Sequence, residues 1–157
     1  MSTPTTQCVV RDAQAGDFDG IVALDLLRAG VEKRGYWRDI LDRYQGSAGN
    51  VALVAIHGSP EVVGFLFGEV RAWEFGSDRC GWIFSVAVSP DHERRGIAAA
   101  LCDAAIQRFA EHGVDVVRTM VRRNDVPVLS FFRSQGFSGG PFSELECSIA
   151  QYLGSRP

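Results

Sequence analysis

The chain has 157 residues, 46% hydrophobic and 22% charged, the makeup of a single globular domain (1–157) with a sizeable core. Sixteen Lys and Arg against 19 Asp and Glu leave a formal charge of −3, which argues against a broad nucleic-acid surface. No apolar run nears the ~20 residues that cross a bilayer, so no membrane partner is expected.

Residues 1–10 lack a charged start followed by an apolar core, so no secretory signal is expected. Cys8, Cys80, Cys102 and Cys147 include no Cys-x-x-Cys pair, and His57, His92 and His112 have no metal-ligand spacing. The chain therefore reads as a reduced cytoplasmic protein without a metal, with Cys102 and Cys147 as small buried hydrophobes.

Residues 8–11 read as a first strand. Asp17 is placed to cap a helix that runs to Leu27, with Ile21, Leu24 and Leu27 on one face. A second amphipathic helix is predicted over 36–44, turning Trp37, Ile40 and Leu41 inward. Residues 50–57 and 62–73 are rich in Val, Leu, Ile and Phe and are separated by Gly58-Ser-Pro60, which predicts a hairpin. In its second strand Val63, Phe65, Phe67, Glu69, Arg71 and Trp73 share a face. A polar loop over 74–81 follows.

The stretch Phe84-Ser-Val-Ala-Val-Ser-Pro-Asp-His-Glu-Arg-Arg-Gly-Ile-Ala-Ala-Ala-Leu101 organises the rest. Residues 82–88 predict a strand buried on both faces, and Ser89-Pro90-Asp91 breaks it. From Arg94 a helix is predicted, with Ile97, Leu101, Ala105 and Phe109 every four residues and Gly113 at its end. A helix start carries unpaired N–H donors and the positive end of the dipole. Gly96, Ala98 and Ala99 leave that surface free of bulk for an anion such as phosphate, or simply for close packing on a sheet.

Residues 114–121 predict another strand, parallel to 82–88 through a right-handed crossover. In Arg122-Arg-Asn-Asp-Val-Pro-Val-Leu-Ser-Phe-Phe-Arg-Ser-Gln-Gly-Phe137, Asp125 caps a short helix, Pro127 sits in its first turn and Gly136 ends it. Residues 143–149 alternate as a final strand.

Two of these segments together resemble the Gcn5-related N-acetyltransferase (GNAT) family. Val88 to Leu101 resembles its Gln/Arg-x-x-Gly-x-Gly/Ala signature, with Gly96 and Ala98 in place and Glu93 where Gln or Arg is usual. The second segment resembles Asn-x-x-Ala-x-x-Phe-Tyr-x-x-x-Gly-Phe, with Asp125, beside Asn124, at the Asn position. The resemblance implies an α/β (α+β) GNAT fold: a mixed sheet of six to seven strands with a splayed parallel pair, flanked by about four helices.

It also implies acetyl-CoA as cosubstrate. Backbone groups of Val86, Ala87 and Val88 would meet its pantetheine arm. The amides of Arg94, Arg95, Gly96, Ile97, Ala98 and Ala99 would hold its pyrophosphate, with Asn124, Phe131 and Phe132 on the other side. The implied reaction is direct transfer of acetyl to a primary amine in a ternary complex, with the Val88 N–H polarising the carbonyl. The acceptor is a small molecule or a protein amine, and family members that dimerise make a homodimer compatible.

Three positions depart from the family. The usual tyrosine acid falls at Phe132, the usual glutamate falls at Trp82, and Glu93 is acidic beside the phosphates. Glu69 and Glu74 are the candidate substitute bases, or solvated carboxylates. Tyr36, Trp37 and Tyr44 are candidates for the acceptor pocket, or core anchors. The departures leave open an alternative, a non-catalytic acyl-CoA-binding or regulatory module.

Overall fold

The computed structural model describes residues 7–156, so part of the 1–10 stretch read above lies outside the described residues. Its sheet has five strands, β1 (Cys8–Asp12), β2 (Asn50–His57), β3 (Val62–Arg71), β4 (Cys80–Val88) and β5 (Val117–Thr119), in the spatial order of the chain. β1 to β4 pair antiparallel and β5 joins β4 in parallel. Helices α1 (Phe18–Ala29) and α2 (Arg34–Tyr44) precede β2, α3 (Ile97–Glu111) bridges β4 to β5, and α4 (Val126–Ser134) and α5 (Ile149–Gly154) follow. This is the mixed α/β architecture expected, with fewer strands.

The sheet is covered on both faces, because β2 and β3 are apolar on both sides. On one face α1 and α2 pack Ile21, Leu24, Trp37, Ile40 and Leu41 against Val54, Phe65 and Phe67. On the other, α3 packs Ile97, Leu101, Cys102, Ala105 and Phe109 against Leu53, Leu66 and Ile83. α3 lies close to the sheet because β3 and β4 present glycine beneath it. A Cβ on Gly81 would fall 2.7 Å from the Phe109 ring, and one on Gly68 2.9 Å from it.

Several expectations need correction. Leu27 is 64% exposed, since α1 turns it outward beyond the apolar stripe. Asp17 precedes α1 without a side-chain cap; its carboxylate instead accepts from Arg11 Nη1 (2.7 Å) and from the Gln14 amide (2.8 Å). Burial works to raise its pKa, but these donors outweigh it and hold the carboxyl below its ordinary value. α3 starts at Ile97 rather than Arg94, because Arg94 (φ 61°) and Gly96 (φ 75°) are left-handed.

β3 stops at Arg71, and Trp73 and Phe75 stand out from the following turn. Val63 belongs to the α3 face, opposite Phe65 and Phe67, because the β2–β3 register shifts between Ala55 and Ile56. β4 starts at Cys80, earlier than 82, and residues 84–87 are only half-buried. β5 is three residues long instead of eight. Among the described residues no strand forms over 143–149: α5 starts at Ile149, and Cys147 is exposed. Cys102 is buried, which pushes its thiol up to about 11.

Candidate active site

The site is made where β4 and β5 part. Their parallel ladder runs Gly81–Val117, Trp82–Arg118, Ile83–Thr119 and ends there, with the Thr119 hydroxyl donating to the Ile83 carbonyl at 2.9 Å. The next residue, Phe84, is a bulge: Ile83 faces Gly68 and Ser85 faces Phe67, so Phe84 has no counterpart on β3. A bulge bends and over-twists its strand, and this one lies at the last rung shared with β5. Beyond it the two strands diverge around a cleft of about 230 Å³. Residues 83–86 of β4, Thr119 and Met120 at the end of β5, and Val128 and Phe132 line it.

The register decides which backbone groups face that cleft. Ser89 donates to the Val63 carbonyl (2.8 Å) around the Gly64–Val88 pair, so this pair is of the non-hydrogen-bonded kind and Phe65–Ala87 is the bonded one. Ala87 is therefore spent on β3. The N–H and C=O of Val86 and Val88 point the opposite way, where β5 no longer runs. They are a free strand edge, able to take an extended amide chain.

At the end of β4 a turn over Pro90–His92 leads into residues 93–96. The His92 ring meets His57 at 5.5 Å and so faces the end of β2. The first amide of this region with a backbone acceptor is that of Ala100, bonded to the Gly96 carbonyl at 2.9 Å. The amides of Arg94, Arg95, Gly96, Ile97, Ala98 and Ala99 have no acceptor among the described residues. A Cβ on Gly96 would meet nothing within 4 Å, so the turn is open in front. Successive free amides with a left-handed residue among them, at the positive end of a 15-residue helix, form a cradle for a phosphate-like dianion.

Glu93 does not stand alone beside this cradle. Arg28, from the last turn of α1, donates to it at 2.6 Å. Both side chains are half-exposed, so the pair adds little stability. Its effect is local: the acidic charge is neutralised next to the amides. No spacing rule links residues 65 apart, and sequence reasoning missed Arg28.

α4 forms the far wall. Asp125 caps it, accepting from the Val128 amide at 3.2 Å, and Asn124 is exposed just ahead of the cap. Phe132 is buried in the cleft wall, 5.1 Å from Phe131 and 5.0 Å from Phe137. Phe131 is turned to the α3 core. Ile83, Thr119, Met120 and Val128 also line the cleft and were not singled out from the sequence, where they read as ordinary strand and helix residues.

The two candidate carboxylates lie outside the cleft. Glu69 faces Trp82 across the β3–β4 ladder, accepts from the Tyr44 hydroxyl and from Arg71 Nε (3.0 Å). Arg71 also lies over the Trp82 ring at 4.4 Å and 3.9 Å from Glu74. Tyr44 is buried and meets Phe84 edge-on at 5.4 Å. Burial and the Glu69 contact push its phenol up to about 12, so it stays protonated across the neutral range. Trp37 is a core anchor, donating Nε1–H to the buried Asp25 at 2.8 Å, while Tyr36 is 46% exposed.

Residues 22–137 match the acetyltransferase (GNAT) family, and the chain belongs to it. It is 30% identical over 56 residues to a ribosomal protein bS18-alanine N-acetyltransferase of Escherichia coli (strain K12), covering 36% of this chain and 38% of that protein. The chain spans less than half the length of the curated relatives it matches. The fold is similar to that of the aminoglycoside N-acetyltransferase AAC(6')-Iy in complex with CoA, at a TM-score of 0.82 and 12% identity, covering 95% and 99% of the two chains. It is also similar to a transcriptional regulator from Bacillus halodurans C-125, at a TM-score of 0.76 and 18% identity, covering 91% and 100%. At these identities the structural likeness carries the fold alone.

Proposed function

We propose that the chain, as one domain over 1–157, is an acetyl-CoA-dependent N-acetyltransferase that passes the acetyl group directly to a primary amine in a ternary complex. The observation that carries this is the succession of two features along one stretch of chain: a free strand edge at Val86 and Val88, and directly after it the amide cradle at 94–99. An acyl-CoA has the matching pair, an amide-bearing arm and a pyrophosphate. Relatives and neighbours named for acetylating amines, on ribosomal protein and on aminoglycosides, support an amine acceptor.

In this reading acetyl-CoA supplies an activated thioester. Val86 and Val88 hold the arm by backbone bonds, with Ala87 between them fixing the strand through Phe65. The Val88 N–H is the donor toward the thioester carbonyl. The amides from Arg94 to Ala99 take the pyrophosphate, with the Arg94 and Arg95 side chains adding charge. Val128 and Phe132 form the α4 wall, Asn124 lies exposed just ahead of the helix, and Phe131 packs behind it toward α3. The amine must be neutral to attack, and an alkyl amine has a pKa of ~10.4. Glu69 or Glu74, reached through water, is the carboxylate that takes its proton.

No acid replaces the missing tyrosine in the cleft wall, and none is required for turnover. A thiol of pKa ~8.5 leaves as the anion near neutrality, so loss of a general acid slows the step within its ~10²–10⁴-fold range.

A second reading is favoured by Phe132, which has no proton to give: binding of acyl-CoA without turnover. Release of free thiol from acetyl-CoA with a polyamine, an aminoglycoside and an N-terminal alanine peptide separates the two. Turnover with any of these supports the enzyme, while calorimetric binding of acetyl-CoA with no thiol release supports the module. Absence of binding would remove both.

A further inference from the structure

One rung before β4 and β5 part, a row of side chains crosses the sheet and ends on an unmatched charge. Glu69, Trp82 and Arg118 stand side by side on β3, β4 and β5. All three project to the face that carries α1 and α2: Glu69 meets Tyr44 of α2, while the neighbours Ile83 and Val117 pack toward α3. The row is roughly 10 Å wide at the backbone, two strand spacings. Phe84, which lines the cleft, lies on that same face two residues beyond Trp82, roughly 7 Å along the strand.

The two ends of the row differ in charge. At the β3 end Arg71 bonds to Glu69 (3.0 Å) and lies 3.9 Å from Glu74, so two carboxylates share one guanidinium and the group is net negative. At the β5 end Arg118 forms no ion pair among the described residues. Its Nη1 donates to the Ser77 hydroxyl at 2.8 Å, and its guanidinium rests 4.8 Å from the Phe142 ring. These contacts hold the side chain without neutralising it, and the hydrogen bond uses one of five donors. Arg118 is half-buried, where a charge without a counter-ion is costly. A planar fork with open donors, fixed in advance, suits a carboxylate.

We infer that the acceptor is a small amine that also bears a carboxylate, of the amino-acid class, with Arg118 taking the carboxylate and the Glu69–Glu74 end facing the amine. This deepens the acetyltransferase reading and rests on it. A zwitterion matches both ends of the row, whereas a polyamine or an aminoglycoside sets a cation against Arg118. The step itself is unchanged: the neutral amine nitrogen bonds to the thioester carbon, the C–S bond breaks, CoA leaves as the thiolate, and the amine proton passes to Glu69 or Glu74.

Thiol release from acetyl-CoA tests this with each L-amino acid beside its carboxamide, and with spermidine. The amide keeps the amine and removes the anionic charge. At least one amino acid is expected to turn over, with a KM roughly 10–100-fold below that of its amide. Arg118→Gln should shrink this ratio at least tenfold through the KM of the acid, and Arg118→Lys should recover part of it. Acid and amide differ in amine pKa, but equally for every variant, so that difference cancels. An equal loss on acid and amide, or a wild type that prefers spermidine or the amides, would overturn the inference and leave the acetyltransferase reading in place. So would calorimetric binding of acetyl-CoA with no turnover of any amino acid. A wild type that does not bind acetyl-CoA removes the acetyltransferase reading itself. Should Arg118→Gln misfold by circular dichroism, Ser77→Ala decides. Loosening the guanidinium should raise the KM of the acid severalfold more than that of the amide, and equal shifts overturn the inference.

Discussion

Replacing Gly96 by glutamate puts a carboxylate among the free amides of 94–99 without a steric clash, because a Cβ there meets nothing within 4 Å. Two effects on folding oppose each other. The backbone is left-handed at φ 75°, where a side chain costs roughly 1–2 kcal/mol. A negative charge at the start of α3 returns about 0.3–1 kcal/mol. The net loss of ~1 kcal/mol lowers the melting temperature by only about 2–4 °C for a domain of this size. Binding of a pyrophosphate suffers far more. At ~5 Å and an effective dielectric near 20, each pair of like charges costs roughly 3 kcal/mol, and solvent at this exposed turn about halves it. Two phosphate charges then cost ~3 kcal/mol, about 100-fold in affinity. Gly96→Ala carries the same backbone strain without the charge and is the control. Titration calorimetry with acetyl-CoA, beside thermal melts of all three proteins, reads the two effects separately. If Gly96→Glu binds acetyl-CoA within about threefold of Gly96→Ala, the pyrophosphate does not sit on this turn.

Gly81→Ala should destabilise the fold by about 2–3 kcal/mol, since its methyl would fall on the buried Phe109 ring; urea denaturation reads this, and Phe109→Leu in the same chain should recover part of it. Asp17→Asn should cost about 2 kcal/mol at pH 7 by removing the charged hydrogen bonds from Arg11. Because the folded carboxyl sits below its unfolded value of ~3.9, this contribution is full above that pH and fades as pH falls through the folded value. Wild type and variant should therefore converge in acid melts, and a constant gap would refute the ion pair's role. Phe132→Tyr should raise kcat by about tenfold, with less effect on KM, if the cleft wall lacks only a proton donor. An unchanged kcat would mean that thiolate departure is not limiting. Arg28→Glu sets two carboxylates beside the amide cradle and should weaken acetyl-CoA binding several-fold at low salt, with the difference shrinking as ionic strength rises. A salt-independent effect would point to altered packing of α1 instead.

Much of this architecture was legible locally. Helical apolar spacing marked α1 to α3, apolar runs marked β2 to β4, and Gly113, Asp125, Pro127 and Gly136 marked helix ends that follow from short-range sterics and capping. The free amides at 94–99 were legible for the same reason, since a helix start leaves its donors unpaired in any context. The helix boundary was not: Arg94 takes a left-handed conformation that a residue with a side chain rarely adopts.

What the sequence determined by itself is therefore the presence and order of α1 to α4 and β1 to β4, and the unpaired donors at one helix start. Tertiary structure alone decided the rest. Phe84 becomes a bulge only because β3 and β4 share a register around it, and that bulge opens the cleft. The same register, fixed between residues far apart in the chain, turns Val86 and Val88 outward and spends Ala87. Arg28 meets Glu93, and Tyr44 meets Glu69, across separations no local pattern spans. Segments 114–121 and 143–149 show the converse: a strand pattern states a capacity to pair, and pairing needs a neighbour that the sequence does not name.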